Sequence, residues 1–302
     1  MVKAWMPVNS GAPILVIDSG LGGLTVVKAV HALMPHEQIV YFGDTARLPY
    51  GSKSAETVTT FVKQIISYLR GSNPKHVLIA CNTATALALP ALKRHFGDLS
   101  ISGVVDPGAK AAVEAAGPKE TPVIGVMATE ATIGSKAYDR AIITRRPRAR
   151  LLLRPAPLLV PIIEEGRAMD DPLVQLSLEQ YLKPMIDRRM DVLVLGCTHY
   201  PLLKPLIQQI VGMDVRVIDS AEQCAEDVAR RLQAAELLRG EDPEQTTRKS
   251  ASSWLKTFVT DNSPRFAKLA SRFLGIKIDS PRWVHPDELH AATIEPSVRE
   301  AV

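Results

Sequence analysis

Along most of the chain, short, mostly apolar runs take turns with longer stretches in which apolar residues recur every three or four positions. The runs are Ile14–Ile17, Gln38–Phe42, Val77–Ala80, Ile101–Val105, Pro122–Met127, Leu151–Leu153, Val192–Leu195, Val215–Ile218 and Leu255–Thr260. Runs of this length without alternation are expected of strands buried on both faces, as in a parallel sheet. Between them, Ser54–Leu69 carries Val58, Phe61, Val62, Ile65, Ile66 and Leu69, the spacing of one buried helix face. Leu24–Met34, Pro172–Arg189, Ala221–Leu238 and Arg265–Leu274 also read as helices, as does an alanine-rich stretch after the loop Asp106-Pro107-Gly108. Pro90 interrupts the apolar segment after Thr83, so only a short or kinked helix is expected there. Residues 1–12 read as a loose lead-in, Arg239–Lys249 as a charged linker, and the tail beyond Ile278 has no periodicity. Strands alternating with helices predict an α/β protein with mainly parallel sheets and two lobes.

Two of the strands end alike. Val77–Thr83 reads VLIACNT and Val192–His199 reads VLVLGCTH, so Cys81 and Cys197 each follow a small residue and precede hydrogen-bonding side chains. In an open parallel sheet such residues fall on the loop beyond the carboxyl end of the strand, where ligands bind. A second echo links Ile17-Asp18-Ser19-Gly20 with Ile218-Asp219-Ser220-Ala221. Two similar half-molecules facing one site would account for both.

Composition narrows the picture by exclusion. The chain has 302 residues, enough for more than one domain, with 46% hydrophobic and 23% charged residues. The net charge of +4 comes from scattered Lys and Arg, and Arg145–Arg150 (RRPRAR), the only dense basic run, reads as a solvated loop. Direct nucleic-acid binding needs a clustered basic face and is not expected. Three cysteines do not make a disulfide framework, Met1–Ser10 lacks a signal-like apolar core, and no apolar run reaches membrane-spanning length. A cytoplasmic protein with reduced thiols, and no membrane partner, is expected.

The chemistry centres on the paired cysteines. A thiol just before a helix meets unpaired N–H groups and the positive end of the helix dipole, which is expected to favour thiolate. Cys224 lies inside a helix and reads as core. Asp18-Ser19-Gly20 fits a helix cap as well as a functional loop. Gly20, Gly22 and Gly23 lack the spacing of a dinucleotide loop. His199 could be a base, a core hydrogen-bonding residue or a metal ligand, but nothing near it has zinc spacing. A redox pair would be closer in sequence, and a single nucleophile would leave the duplicate unexplained. Two acid/base groups, one on each face of a carbon centre, explain the duplication best.

These residues resemble glutamate racemases. The matching motifs are Asp18-Ser19-Gly20-Leu21-Gly22-Gly23, Gly43-Asp44-Thr45 with Pro49-Tyr50-Gly51, Ala80-Cys81-Asn82-Thr83, Gly196-Cys197-Thr198-His199-Tyr200-Pro201 and Val217-Ile218-Asp219-Ser220. The resemblance implies two pseudo-symmetric α/β lobes, residues 1–105 with 217–302 and residues 106–216, around a cleft holding the active site. It implies interconversion of L- and D-glutamate for peptidoglycan synthesis, without cofactor, pyridoxal phosphate included. Cys81 would take the α-proton from D-glutamate and Cys197 from L-glutamate, helped by Asp18 and His199 respectively. Ser19, Pro49, Tyr50, Gly51, Asn82, Thr83, Thr129, Thr132 and Thr198 would hold the substrate, and Glu165 is expected near His199. Ala131 stands where the family more often has Gly. Family partners include a second copy in a homodimer, a peptidoglycan-precursor activator and DNA gyrase. The alternative is a racemase or isomerase of the same superfamily acting on aspartate or another small acid.

Overall fold

The computed structural model describes residues 8–240 and 251–293. The strands are β1 (Ile14–Asp18), β2 (Ile39–Gly43), β3 (His76–Ile79), β4 (Ile101–Gly103), β5 (Val123–Ala128), β6 (Arg150–Pro155), β7 (Val192–Gly196), β8 (Arg216–Asp219), β9 (Leu255–Val259) and β10 (Arg282–Trp283). The helices are α1 (Leu24–Leu33), α2 (Ala55–Leu69), α3 (Asn82–His95), α4 (Val105–Ala115), α5 (Glu130–Gly134), α6 (Ala137–Arg145), α7 (Leu159–Glu164), α8 (Pro172–Ile186), α9 (Lys204–Val211), α10 (Ala221–Ala234), α11 (Pro264–Leu274) and α12 (Pro286–Ala291). The charged linker and the two ends of the chain fall partly outside the described residues.

Two parallel sheets result, in the orders β10-β9-β2-β1-β3-β4 and β6-β5-β7-β8. Strands β1, β2, β3, β5 and β7 are buried along their whole length, which is why they read as unbroken apolar runs. One apolar cluster lies under α2 and α3, a second under α4 and α6, and the largest joins the two lobes through α1, α8 and α10. Helix α2 shows how a helix is fixed locally. Ser54 caps it by accepting from Thr57 N at 3.2 Å. Val58, Val62, Ile65, Ile66 and Leu69 are buried beneath it, each worth about 1.5–3 kcal/mol.

The structure corrects several expectations. Pro90 sits inside a continuous α3, because Ala84, Thr85, Ala88 and Leu92 anchor the helix on both sides of the lost hydrogen bond. Asp106-Pro107-Gly108 is the first part of α4 rather than a loop, and Pro107 fits in the first turn, where its missing N–H is not needed. Val217 belongs to β8, which pairs with β7 in the second sheet, so the chain leaves that sheet after Asp219 and not near Val217. The tail beyond Ile278 adds β10 to the first sheet and forms α12, started by a capping box between His285 and Glu288. Among the described residues no helix is long and apolar enough to cross a membrane.

Candidate active site

Strand register brings the site together. Ile17 of β1 pairs with Ile79 of β3, so Ser19 and Cys81 leave neighbouring strands level with each other. Ala128 of β5 pairs with Gly196 of β7, which sets Thr129 beside Cys197 in the same way. Glycines let the loops close up. A Cβ on Gly22 would lie 2.2 Å from Thr198 Oγ1 and 2.5 Å from His199 Nδ1, so the Gly20–Gly23 turn serves close packing between the lobes. Thr25, one turn on, donates to Thr198 O at 3.3 Å.

Cys81 is 5% exposed and caps α3, its sulfur accepting from Ala84 N at 3.4 Å and lying 3.6 Å from Ser19 Oγ. Burial pushes its thiol up to about 12, and the nearby Asp18 carboxylate pushes the same way against the helix N–H and Ser19. The thiolate expected from its helix-start position is therefore not the resting form, because desolvation outweighs two hydrogen bonds. Asp18 is itself fully buried. Its carboxylate accepts from Gly20 N at 3.0 Å and from Thr198 Oγ1 at 3.4 Å. Burial raises its pKa, partly offset by His199 and by the N–H groups of Gly20 and Gly23.

Cys197 is 6% exposed and does not cap a long helix; a 3-10 turn over Tyr200–Leu203 follows instead. Its sulfur lies 3.8 Å from His199 Nδ1, and His199 Nε2 lies 3.0 Å from Glu164 Oε1. Burial alone would depress the imidazole. Hydrogen bonds to Cys197 and Glu164, and their charges, overturn this and raise it to about 10. The partner of His199 is thus Glu164, and Glu165 turns away to pair with Arg167 at 2.8 Å. Two successive glutamates ending the short α7 carry no sequence signal for which one faces the histidine. The two thiols are close enough that charge on Cys197 raises Cys81 further.

Polar groups from both lobes converge beside the thiols. Thr83, Thr129 and Thr132 form a closed triangle of hydroxyls, with Oγ1 separations of 2.9, 3.2 and 2.9 Å. Thr132 joins this triangle even though Ala131 precedes it. Asn82 accepts from Tyr138 OH at 2.8 Å, while its Nδ2 is buried with no partner. A buried donor left open is costly and points to a ligand. Pro49 leads into the 3-10 turn Tyr50–Ser52, where a Cβ on Gly51 would lie 2.9 Å from Thr129 Cβ. Tyr50 is buried, and its hydroxyl donates to Asp44. By contrast, the Asp219 echo pairs with Lys204 at 2.6 Å and caps Ala221 N, apart from the thiols.

A pair of parallel α/β sheets with thiols at matching strand ends defines the class, and comparison with known proteins agrees. The sequence model for Asp/Glu/Hydantoin racemases matches residues 23–228, and the chain belongs to that family. The glutamate racemase of Syntrophus aciditrophicus (strain SB) is 42% identical over 265 residues, covering 87% of this chain and 93% of that relative. That of Chlorobaculum tepidum is 41% identical over 271 residues, covering 90% and 95%. The crystal structure of glutamate racemase from Francisella tularensis in complex with D-glutamate has a TM-score of 0.81 and 33% identity, covering 91% and 98%. Within its family the chain sits with the glutamate racemases.

Proposed function

We propose that the chain interconverts L- and D-glutamate by proton transfer between its two thiols. One thiolate removes the α-proton, leaving a carbanion, and the opposite thiol returns a proton to the other face. The two sulfurs exchange roles in the reverse direction. The observation that carries this reading is the pair of buried thiols at matching strand ends of the two sheets, with a buried, unpartnered Asn82 Nδ2 next to Cys81 in sequence. The hydroxyls of Thr83, Thr129 and Thr132, with Asn82, Thr198, Ser19 and the Tyr50-Gly51 backbone, suit the two carboxylates of the substrate. Asp18 suits its ammonium group, whose charge would also relieve the pressure on Cys81. Charge developing at the α-carbon is then met by fixed donors in a site closed to water.

The same reading places the reaction in the cytoplasm, in supply of peptidoglycan synthesis, and extends to a homodimer, for which exposed Leu158, Leu173 and Leu176 offer apolar area. A peptidoglycan-precursor activator and DNA gyrase are the further partners it includes. The test is proton NMR of purified protein with L-glutamate in D₂O, no cofactor added, alongside circular dichroism. Loss of the α-proton signal together with decay of the optical signal is the expected result. Exchange of L-aspartate in preference to glutamate would move the activity to the alternative substrate, and exchange of neither, with a peptidoglycan precursor added as well as without it, would overturn the reading.

A further inference from the structure

Asp44 has no part in the proton transfer described above, yet it is completely buried at the end of β2 and holds four partners. Its carboxylate accepts from Arg47 Nε at 2.9 Å, from Thr260 Oγ1 at 2.9 Å and from the Tyr50 hydroxyl, and its own N–H donates to Asp18 O at 3.1 Å. The Arg47 guanidinium is held in turn, stacked 4.1 Å above the Phe61 ring and donating to Gln64. Tyr50 also packs against Phe61, with ring centroids 5.8 Å apart and the rings tilted by 45°. A buried carboxylate committed in this way is a fixed point, because losing Arg47 leaves an unpaired charge and losing a hydroxyl leaves an acceptor unmet.

What Asp44 fixes is the turn over Tyr50–Ser52. The Tyr50 hydroxyl is spent on Asp44, which ties the start of the turn to the end of β2. The next residue, Gly51, lies against Thr129 with no room for even a methyl group. Thr129 belongs to the hydroxyl triangle that joins the lobes. A displacement of the turn by a few tenths of an ångström therefore reaches Thr83 and Thr132 directly.

The geometry points to Asp44 as a positioning residue for substrate binding, acting through the Tyr50 hydroxyl to seat the 50–52 turn against Thr129. This rests on the proposed racemase reading for what is bound, but the positioning can be measured without turnover. Full-length wild type, Asp44→Asn, Tyr50→Phe and the double variant are compared in two arms. In the kinetic arm each single change raises KM for D-glutamate about tenfold, with kcat altered less than about threefold. The double variant is no worse than the worse single, because both remove one link. Asp219→Asn, a buried carboxylate that ends β8 of the other sheet and pairs with Lys204, lowers Tm but leaves KM unchanged. In the second arm, amide hydrogen exchange without substrate, residues 47–53 exchange faster in all three variants and protection elsewhere is kept. A lower Tm with unchanged KM in Asp44→Asn, effects that multiply in the double variant, or unchanged protection over 47–53 would each overturn the assignment. If wild type turns over no glutamate, the racemase reading falls and the exchange arm alone decides the positioning.

Discussion

The two cysteine loops begin from nearly the same sequence and give their sulfurs charged neighbours of opposite sign. Cys81 starts a long helix, accepts from Ala84 N–H, and has the buried Asp18 carboxylate as its charged neighbour, so its thiol is pushed up to about 12. Cys197 has no such helix behind it. It has instead an imidazole raised to about 10, which is charged at neutral pH, with Glu164 on the far ring nitrogen. Matching strand ends supply two thiols, and their neighbours set them apart: one keeps its proton by burial and an anion, the other faces a cation. A reaction that removes a proton on one face and returns one on the other needs that inequality at every turn of the cycle.

Removing either sulfur should have the largest effect and would test whether the two loops are equal partners. Cys81→Ala and Cys197→Ala are each expected to lower racemisation by about a thousandfold or more in both directions, followed by circular dichroism. Near-normal turnover in either variant would break the comparison, because a single thiol would then suffice.

Alkylation sharpens the same contrast without substrate. Iodoacetamide attacks thiolate, and with its thiol near 12 Cys81 should react about tenfold faster per pH unit from pH 7 to pH 10. At pH 7.5 Cys81, its thiol pushed up to about 12 by burial, should be labelled at least about tenfold more slowly than Cys197, as read by peptide mass spectrometry. Equal labelling at the two sites would mean that their different neighbours do not reach the sulfurs.

Much of this was legible in the sequence, for identifiable reasons. Unbroken apolar runs gave the strands because β1, β3 and β7 are buried on both faces, and the two Cys motifs marked the site because they end such strands. The errors fall where tertiary contacts override a local signal. Pro90 is carried by the packed face of α3, and Asp106-Pro107-Gly108 is absorbed into a helix start. Helices α6 and α9 escaped notice, α6 because its turns bury only Tyr138 and Ile142. The Asp219 echo resembled Asp18 in letters, yet Lys204 occupies it, and nothing in a local string reveals a partner fifteen residues earlier. The helix-start N–H group of Ala84 does reach Cys81, but burial, a property of the folded lobe pair that no local string carries, outweighs it.

The smallest expected effect concerns the charge that distinguishes the Cys197 loop. His199 has an ordinary pKa of 6.5 and is raised to about 10 in the folded protein, so folding favours its protonated form. That contribution is fully present below pH 6.5 and is lost as pH rises through about 10. Glu164 is one of the two groups that hold the proton there, and its carboxylate lies on the ring nitrogen away from Cys197. Glu164→Gln keeps the shape and removes the charge. Its Tm should lie about 3–5 °C below wild type at pH 7, with the two curves converging as pH approaches 10. General alkaline titration of lysines and tyrosines lowers both curves alike, so convergence isolates the histidine. Parallel curves across that window would mean that Glu164 does not stabilise an imidazolium, and the asymmetry between the loops would then rest on the Cys81 side alone.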